Sequence, residues 1–366
     1  MYLADLSSSL FAALGLRGVD NSLELNSADR ICLLLIDGLG EISLSEQIST
    51  SPDRYRALAE LRSLAPLSSH FPTTTATNLA SLGTGLFPSA HAMLGYTVRV
   101  PYGDGRILNA LKWDERVDPF TWQRESTLFE RAMAQGIEGS HIAEKRYEDS
   151  GFTRATMRGA RYRGANRADE LIAQARIAHK SAPSFSYIYV NWLDHAGHSD
   201  GVASAKWIAA LESINSLVEG LMSALPTGTA IYLTADHGMI NVGEKIIIGN
   251  GNRLAEDVTT IAGEARARHL YVEPSKIADV KSRWEETLHG KVDLYLKSDA
   301  AELFAAAGMT EVSAAVHERM GEIIAVPRGE LVLLDPAIAE KEGSMVGHHG
   351  ALTDLERQIP LRHITL

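Results

Sequence analysis

The chain has a single cysteine among its 366 residues, which excludes any disulfide within it. That residue, Cys32, lies inside the apolar run Ile31 to Ile36, where a packed thiol is the ordinary fate of a free cysteine. No apolar run is long enough to span a bilayer. Met1 to Leu6 also lacks a basic segment leading into an apolar stretch and a small-residue cleavage site. The expectation is a cytoplasmic protein with no membrane partner. Positive charge is in deficit as well: a formal net charge of -11 argues against a nucleic-acid polymer as partner, since such affinity comes chiefly from Lys and Arg displacing counterions. An anionic substrate would need the charge of a metal ion instead. Tandem repeats and low-complexity tracts are absent, and a hydrophobic content of 45% falls in the globular range.

What is present concentrates at the ends of three apolar runs. Ile31 to Ile36 ends in Asp37-Gly38, Phe185 to Leu193 in Asp194-His195-Ala196-Gly197-His198, and Ala230 to Ala235 in Asp236-His237-Gly238. Buried parallel strands read as continuous apolar runs, and open α/β sheets bind ligands at the carboxyl ends of their strands. Three strands delivering an aspartate to one rim point to a shared polynuclear metal centre. Between the second and third runs, Ser204 to Leu225 reads as an amphipathic helix with Ser204 as N-cap, followed by the turn Pro226-Thr227-Gly228. That is a β-α-β unit, and the chain reads as α/β. Residues 1–366 form one expected domain with two insertions. Residues 98–170, with scattered Trp113 and Trp122 and many arginines, read as a loop-rich insertion over the sheet; residues 245–330 read as a small α/β insertion.

The segment Phe71-Pro72-Thr73-Thr74-Thr75-Ala76-Thr77-Asn78 then begins a helix near Thr75 that ends at Gly85. A hydroxyl in that first turn meets the positive end of the helix dipole, and near a metal its pKa falls enough to make an attacking alkoxide available. The bland reading is capping. The Asp/His clusters tip the balance toward a nucleophile. His195 and His348 read as neighbours that orient ligands, His91 as a structural hydrogen-bonding residue in a loop, and His269 as a satisfied core or edge histidine.

Taken in order, Asp37-Gly38, Pro72-Thr73-Thr74-Thr75-x-x-Asn78, Thr84-Gly85-Leu86-Phe87-Pro88-x-x-His91, Asp194-x-x-x-His198, Asp236-His237-Gly238-Met239 and Gly347-His348-His349-Gly350 resemble the motifs of the nucleotide pyrophosphatase/phosphodiesterase family, within the alkaline phosphatase superfamily. The resemblance implies an alkaline-phosphatase-like fold: a central, mostly parallel sheet flanked by helices, with inserted cap segments. It implies Thr75 as nucleophile and as a ligand to one of two Zn²⁺ ions, which Asp37, Asp236 and His237 also hold. Asp194, His198 and His349 would hold the second. Tyr96 stands where the family usually has an asparagine touching a phosphoryl oxygen, and with Asn78 is an expected phosphate contact. Ala76 replaces the aromatic that often follows the nucleophile. Trp113, Trp122 and Tyr102 are candidates to replace its stacking surface, and Arg154, Arg158, Arg161, Arg163 and Arg167 to steer an anion, although packing and a solvated face are their commoner roles.

The expected activity is hydrolysis of a small phosphate diester or pyrophosphate through a phosphothreonine. The alternatives are a phosphomonoesterase or phosphonate hydrolase of the same superfamily, or a non-catalytic, metal-stabilised binding protein. A sulfatase is disfavoured because the chain lacks a Cys-or-Ser-x-Pro-x-Arg motif.

Overall fold

Arg30–Ile36 is the middle of the molecule, and from Ile31 to Ile36 every residue is fully buried. A strand covered on both faces has no polar side to show, hence its unbroken apolar sequence. Ser184–Val190 pairs parallel along one edge, matching Ile36 with Val190, and Thr229–Thr234 pairs parallel along the other, matching Leu35 with Thr234. Their carboxyl ends are therefore level. The computed structural model describes residues 1–305 and 311–366. Its central sheet has seven strands in the order Arg62–Ser63, Arg362–Thr365, Thr229–Thr234, Arg30–Ile36, Ser184–Val190, Glu138–Ala143, Arg161–Gly164. The last five of these run parallel, and Arg362–Thr365 pairs antiparallel with Thr229–Thr234.

Helices cover both faces. Phe185 meets the rings of Phe11 and Phe129, from the helices Leu3–Ala13 and Leu128–Met133, at 4.4 and 5.7 Å. The next residue on the strand, Ser186, points to the opposite face and meets His179 Nε2 at 2.8 Å, at the end of the helix Ala168–Ala178. Ala205–Ala224 buries Trp207, Leu211, Ile214, Leu217, Val218 and Leu221, the three-and-four spacing of an amphipathic helix, and the Ser204 hydroxyl caps it by accepting from the Trp207 amide at 3.2 Å. Among the described residues no helix is long and apolar enough to cross a membrane.

The chain departs from its sequence reading in two places. Residues 98–170 are not wholly an insertion: Thr97–Arg99 and Ile107–Asn109 make a small hairpin, but Glu138–Ala143 and Arg161–Gly164 complete one edge of the central sheet. Arg161–Gly164 is the edge strand and Glu138–Ala143 lies between it and Ser184–Val190; neither carries an apolar run, because their polar side chains pair across the sheet. Arg163 reaches Ser140 at 2.9 Å and Glu138 at 3.0 Å. The second departure concerns Asp194. The strand stops at Val190, and Asp194 to His198 lie on the helix Trp192–Asp200. Within residues 245–330, Val258–Glu264, Ala267–Val272, Ile323–Pro327 and Val292–Leu296 form a four-stranded antiparallel sheet. The helix Ile277–Leu288 supplies Val280, Trp284 and Leu288 to the core of this sheet.

Candidate metal centre

Asp37 is the first residue past its strand, and its amide continues the ladder by donating to the Val190 carbonyl at 2.9 Å. Gly38 turns the chain at φ +76, and a Cβ there would stand 3.0 Å from the Asp194 Cα, so glycine lets this strand end approach the helix that carries Asp194. Asp236 and His237 follow Thr229–Thr234 by two and three residues and are fully buried. One Asp236 oxygen accepts the His237 and Gly38 amides at 3.1 and 3.3 Å. The other, Oδ2, is buried without a partner. On the helix Trp192–Asp200, four residues separate Asp194 from His198, which puts both on one face. His349 arrives from the turn after Gly347–His348.

The three histidines share one device. His237 Nδ1 lies 2.9 Å from the Gly238 carbonyl, His198 Nδ1 2.8 Å from that of Gly347, and His349 Nδ1 2.8 Å from that of Thr73. A carbonyl can only accept, so each Nδ1 carries the proton and each Nε2 is left as an acceptor facing the centre. His237 Nε2 then lies 3.3 Å from Asp37 Oδ1 and 3.6 Å from Asp236 Oδ2. Asp194 Oδ1 lies 3.3 Å from His198 Nε2 and 3.8 Å from His349 Nε2, hydrogen-bonded to neither. Acceptors facing acceptors need protons or cations between them. Burial, and then the neighbouring Asp37, raises the Asp236 and Asp194 carboxyl pKa values. Burial opposes charge on His237, yet Asp236, Asp37 and Asp194 carry its pKa up to about 10. Its stacking partner His349, 3.6 Å away ring to ring, is held low by burial and then by His237.

Two groups of three potential ligands result, Asp37 with Asp236 and His237, and Asp194 with His198 and His349, the ligand atoms of each lying within 4.8 Å of one another. The orphaned carboxylate oxygens and bare imidazole nitrogens fit a divalent cation in each. Thr75 is the first residue of the helix Thr75–Thr84. Its Oγ1 lies 3.5 Å from both oxygens of Asp37 and 3.3 Å from His237 Nε2, facing the first group rather than capping the helix. Nor does Thr74, the N-cap residue, make a side-chain cap. Thr73 gives its hydroxyl to the Ala351 carbonyl at 2.9 Å and accepts the Gly350 amide at 3.0 Å, bracing the turn that carries His349.

The structure corrects the reading of Asn78. Its side chain is fully buried, accepts the His70 amide at 2.7 Å, and faces the carbonyls of His70, Pro72 and Thr74 at 3.1–3.3 Å, so nothing remains for a phosphate. Tyr96 does line the cavity of about 340 Å³ above Thr75, Asp194 and His349. So do several residues the sequence did not single out: Tyr147, Phe152, Tyr189, Glu264, Lys341 and Met345. Tyr189 was legible in principle, as a polar-tipped aromatic at the end of an apolar strand. Its hydroxyl donates to Asp37 Oδ2. Burial raises the Glu264 carboxyl to about 7 although Oε2 accepts the Tyr96 amide at 2.8 Å.

Trp113, Trp122 and Tyr102 stay outside this cavity. Trp113 donates to the Val117 carbonyl, Arg319 stacks 3.7 Å over Trp122, and Tyr102 is 95% exposed. Of the basic stretch, Arg158, Arg161, Arg163 and Arg167 pair with acidic neighbours. His195 is exposed, whereas His348 Nε2 meets the Glu342 carbonyl at 3.0 Å. His91 lies in the short helix Pro88–His91 rather than a loop, its Nε2 2.9 Å from the Ser81 hydroxyl. His269 is buried between the Leu94 carbonyl and the Gly321 amide.

An open, mostly parallel α/β sheet with two Asp/His ligand groups and a hydroxyl on its carboxyl rim thus defines the molecule. The family model described as type I phosphodiesterase / nucleotide pyrophosphatase matches residues 31–352, and the chain belongs to that family. It is similar to ectonucleotide pyrophosphatase/phosphodiesterase family member 3 of Mus musculus, 29% identical over 181 residues, covering 46% of this chain and 20% of the relative. It is 26% identical to family member 1 of Homo sapiens over 185 residues, covering 46% and 19%. The aligned part is thus about a fifth of each relative's length. In structure the chain is similar to murine ectonucleotide pyrophosphatase/phosphodiesterase 5, solved as an inactive variant in complex with AMP, with a TM-score of 0.72 at 15% identity over 92% of this chain and 88% of that one. The human protein gives 0.70 at 16% over 91% and 87%. At such identities the structural likeness shows the fold.

Proposed function

We propose that the chain is a binuclear zinc hydrolase of small phosphate diesters or pyrophosphates, with Thr75 as nucleophile. The observation that carries this reading is the position of the Thr75 hydroxyl, 3.3 Å from His237 Nε2 and 3.5 Å from Asp37, beside a second complete ligand group. Mixed carboxylate and imidazole donors suit Zn²⁺. Asp37, Asp236, His237 and Thr75 would hold one ion and Asp194, His198 and His349 the other, and when bound the pair supplies positive charge for the attacking and leaving oxygens. Tyr189 fixes the Asp37 carboxylate beside Thr75. Thr75 Oγ1 gives up its proton and forms the bond to phosphorus as the ester oxygen departs in line and takes a proton from water, giving a phosphothreonine and the free alcohol. Water then attacks that phosphorus and returns the Thr75 hydroxyl, so two inversions give net retention. Tyr96 is the proposed phosphoryl contact that replaces an asparagine.

The diester preference rests on charge. Among the described residues Lys341, which is exposed, is the only Lys or Arg lining the cavity. The test is hydrolysis of bis(p-nitrophenyl) phosphate by zinc-loaded protein, with acid trapping and mapping of the phosphorylated residue. Absence of turnover with two zinc ions bound would move the reading to a non-catalytic binding protein. The relatives' names carry the prefix ecto, and the cytoplasmic location remains part of this proposal, to be tested by fractionating the source cells.

A further inference from the structure

The metal-centred cavity continues past its ligands. Its wall at His141, Thr153 and Met157 also lines a second cavity, of about 350 Å³, bordered by Phe120 on the helix Pro119–Trp122 and by Arg154 on the helix Gly151–Thr156. His141 stands at the junction. It is 6% exposed, with its ring stacked 5.0 Å from that of Tyr187 and edge-on to Tyr162 at 4.8 Å. Its Nδ1 is buried with no hydrogen-bond partner, and burial pulls its pKa down to about 3, so the ring is neutral. A neutral imidazole offers one N–H donor and one acceptor nitrogen.

The second cavity also carries arginines, where the first has only Lys341 among the described residues. Arg158 is consumed by the fold, its guanidinium bonded to Glu130 and to the carbonyls of Gln123, Glu125 and Ala155. Arg154 is not. It is exposed, lies 5.3 Å over the Phe120 ring, and among the described residues meets no acidic partner. A guanidinium steadied on an aromatic face keeps its forked donors free for an oxyanion. Glu148 lies in the same cavity and, among the described residues, is the one carboxylate there not engaged by Arg158, so it opposes an anion in part.

We propose that this second cavity is a subsite for the far end of one ester group of the substrate, and that it takes a second phosphate group on Arg154 with a hydrogen bond to His141. The preferred substrates are then diesters whose organic part bears a further phosphate. The location of the ester rests on the phosphodiesterase reading above, while the anion site stands on the second cavity itself.

The test compares thymidine 5′-(p-nitrophenyl phosphate) with its 3′-phosphorylated derivative on the zinc-loaded full chain. One charge-assisted contact predicts a kcat/KM about tenfold higher for the phosphorylated ester, expressed in KM. Arg154→Gln should bring the ratio to about one, and Glu148→Gln should raise it above wild type, through removal of an opposing charge that Arg158 does not offset. Both side chains are exposed, so the variants should fold. A wild-type ratio near one, or a ratio unchanged in Arg154→Gln, overturns the subsite. If neither ester is hydrolysed, the phosphodiesterase reading fails, and calorimetry decides the subsite separately. Thymidine 3′,5′-bisphosphate should then bind wild type about tenfold more tightly than thymidine 5′-monophosphate and lose that advantage in Arg154→Gln. Equal affinities would overturn it.

Discussion

Thr75 is one of four threonines within five residues, and the structure gives each a different environment. Thr73 braces the His349 turn, Thr74 lines the cavity wall, and Thr77 Oγ1 is buried without a partner. Thr75 alone of the four faces Asp37 and His237. Thr75→Ala should therefore abolish turnover without unfolding the chain, and Thr75→Ser should keep a measurable fraction because it keeps the oxygen. Peptide mapping of the acid-trapped phosphoenzyme checks this, and label on Thr73 or Thr74 would defeat the assignment. Asn78 makes the opposite prediction. With every polar atom tied to the loop His70 to Thr74, Asn78→Ala should cost about 2–3 kcal/mol in urea unfolding, through the unpaired His70 amide and carbonyls it leaves. A loss of kcat without a loss of stability would restore it as a phosphate contact. The motif spacing made the first residue of this turn legible. It could not say where an asparagine three residues on would point, because that depends on carbonyls supplied by the folded loop.

At the scale of elements, the strands that carry the candidate ligands were readable because burial on both faces forces continuous apolar sequence. Strands that bury polar side chains such as Ser140, His141 and Arg163 escape that rule, which is why Glu138–Ala143 and Arg161–Gly164 were invisible and His141, the proposed subsite residue, was passed over. Elements also bury histidines in neutral form. His70 and His141 are pulled by burial from an ordinary 6.5 to about 3, and His179 and His269 to about 4. A depressed histidine contributes stability that is present above 6.5 and lost as pH falls toward the folded value, because the unfolded chain takes up the protons first. The zinc-loaded protein should thus lose at least about 5 °C of Tm between pH 7 and pH 5. His179→Gln, which keeps hydrogen-bonding atoms for Ser184 and Ser186, should flatten that slope in a thermal scan.

At the scale of the whole molecule, the proposed substrate preference rests on charge. Three aspartates offset much of the charge of two zinc ions, and the cavity's lone cation, among the described residues, is the exposed Lys341. A monoester dianion gains less there than a diester, and bis(p-nitrophenyl) phosphate should exceed p-nitrophenyl phosphate in kcat/KM by at least about tenfold, or roughly 1.4 kcal/mol. Equal or reversed ratios on one preparation would favour the monoesterase alternative. Chelation should remove activity and lower Tm, and zinc should restore both, since an ion that binds only the folded chain stabilises it by mass action. Asp194→Ala should reduce bound zinc toward one per chain, as metal analysis would show.

The two ligand groups differ in when the chain supplies them. Asp37, Asp236 and His237 all precede the turn at Gly238, while the group of Asp194 and His198 waits for His349, about 110 residues later. At roughly 5–20 residues per second, translation leaves a nascent chain on the order of 10 s in which one ligand group is complete and the other lacks its last histidine. Vectorial synthesis thus delivers the candidate ligands beside Thr75 first, while the turn that carries Asp236 and His237 still waits for the Glu356 carbonyl that accepts the Gly238 amide at 2.6 Å.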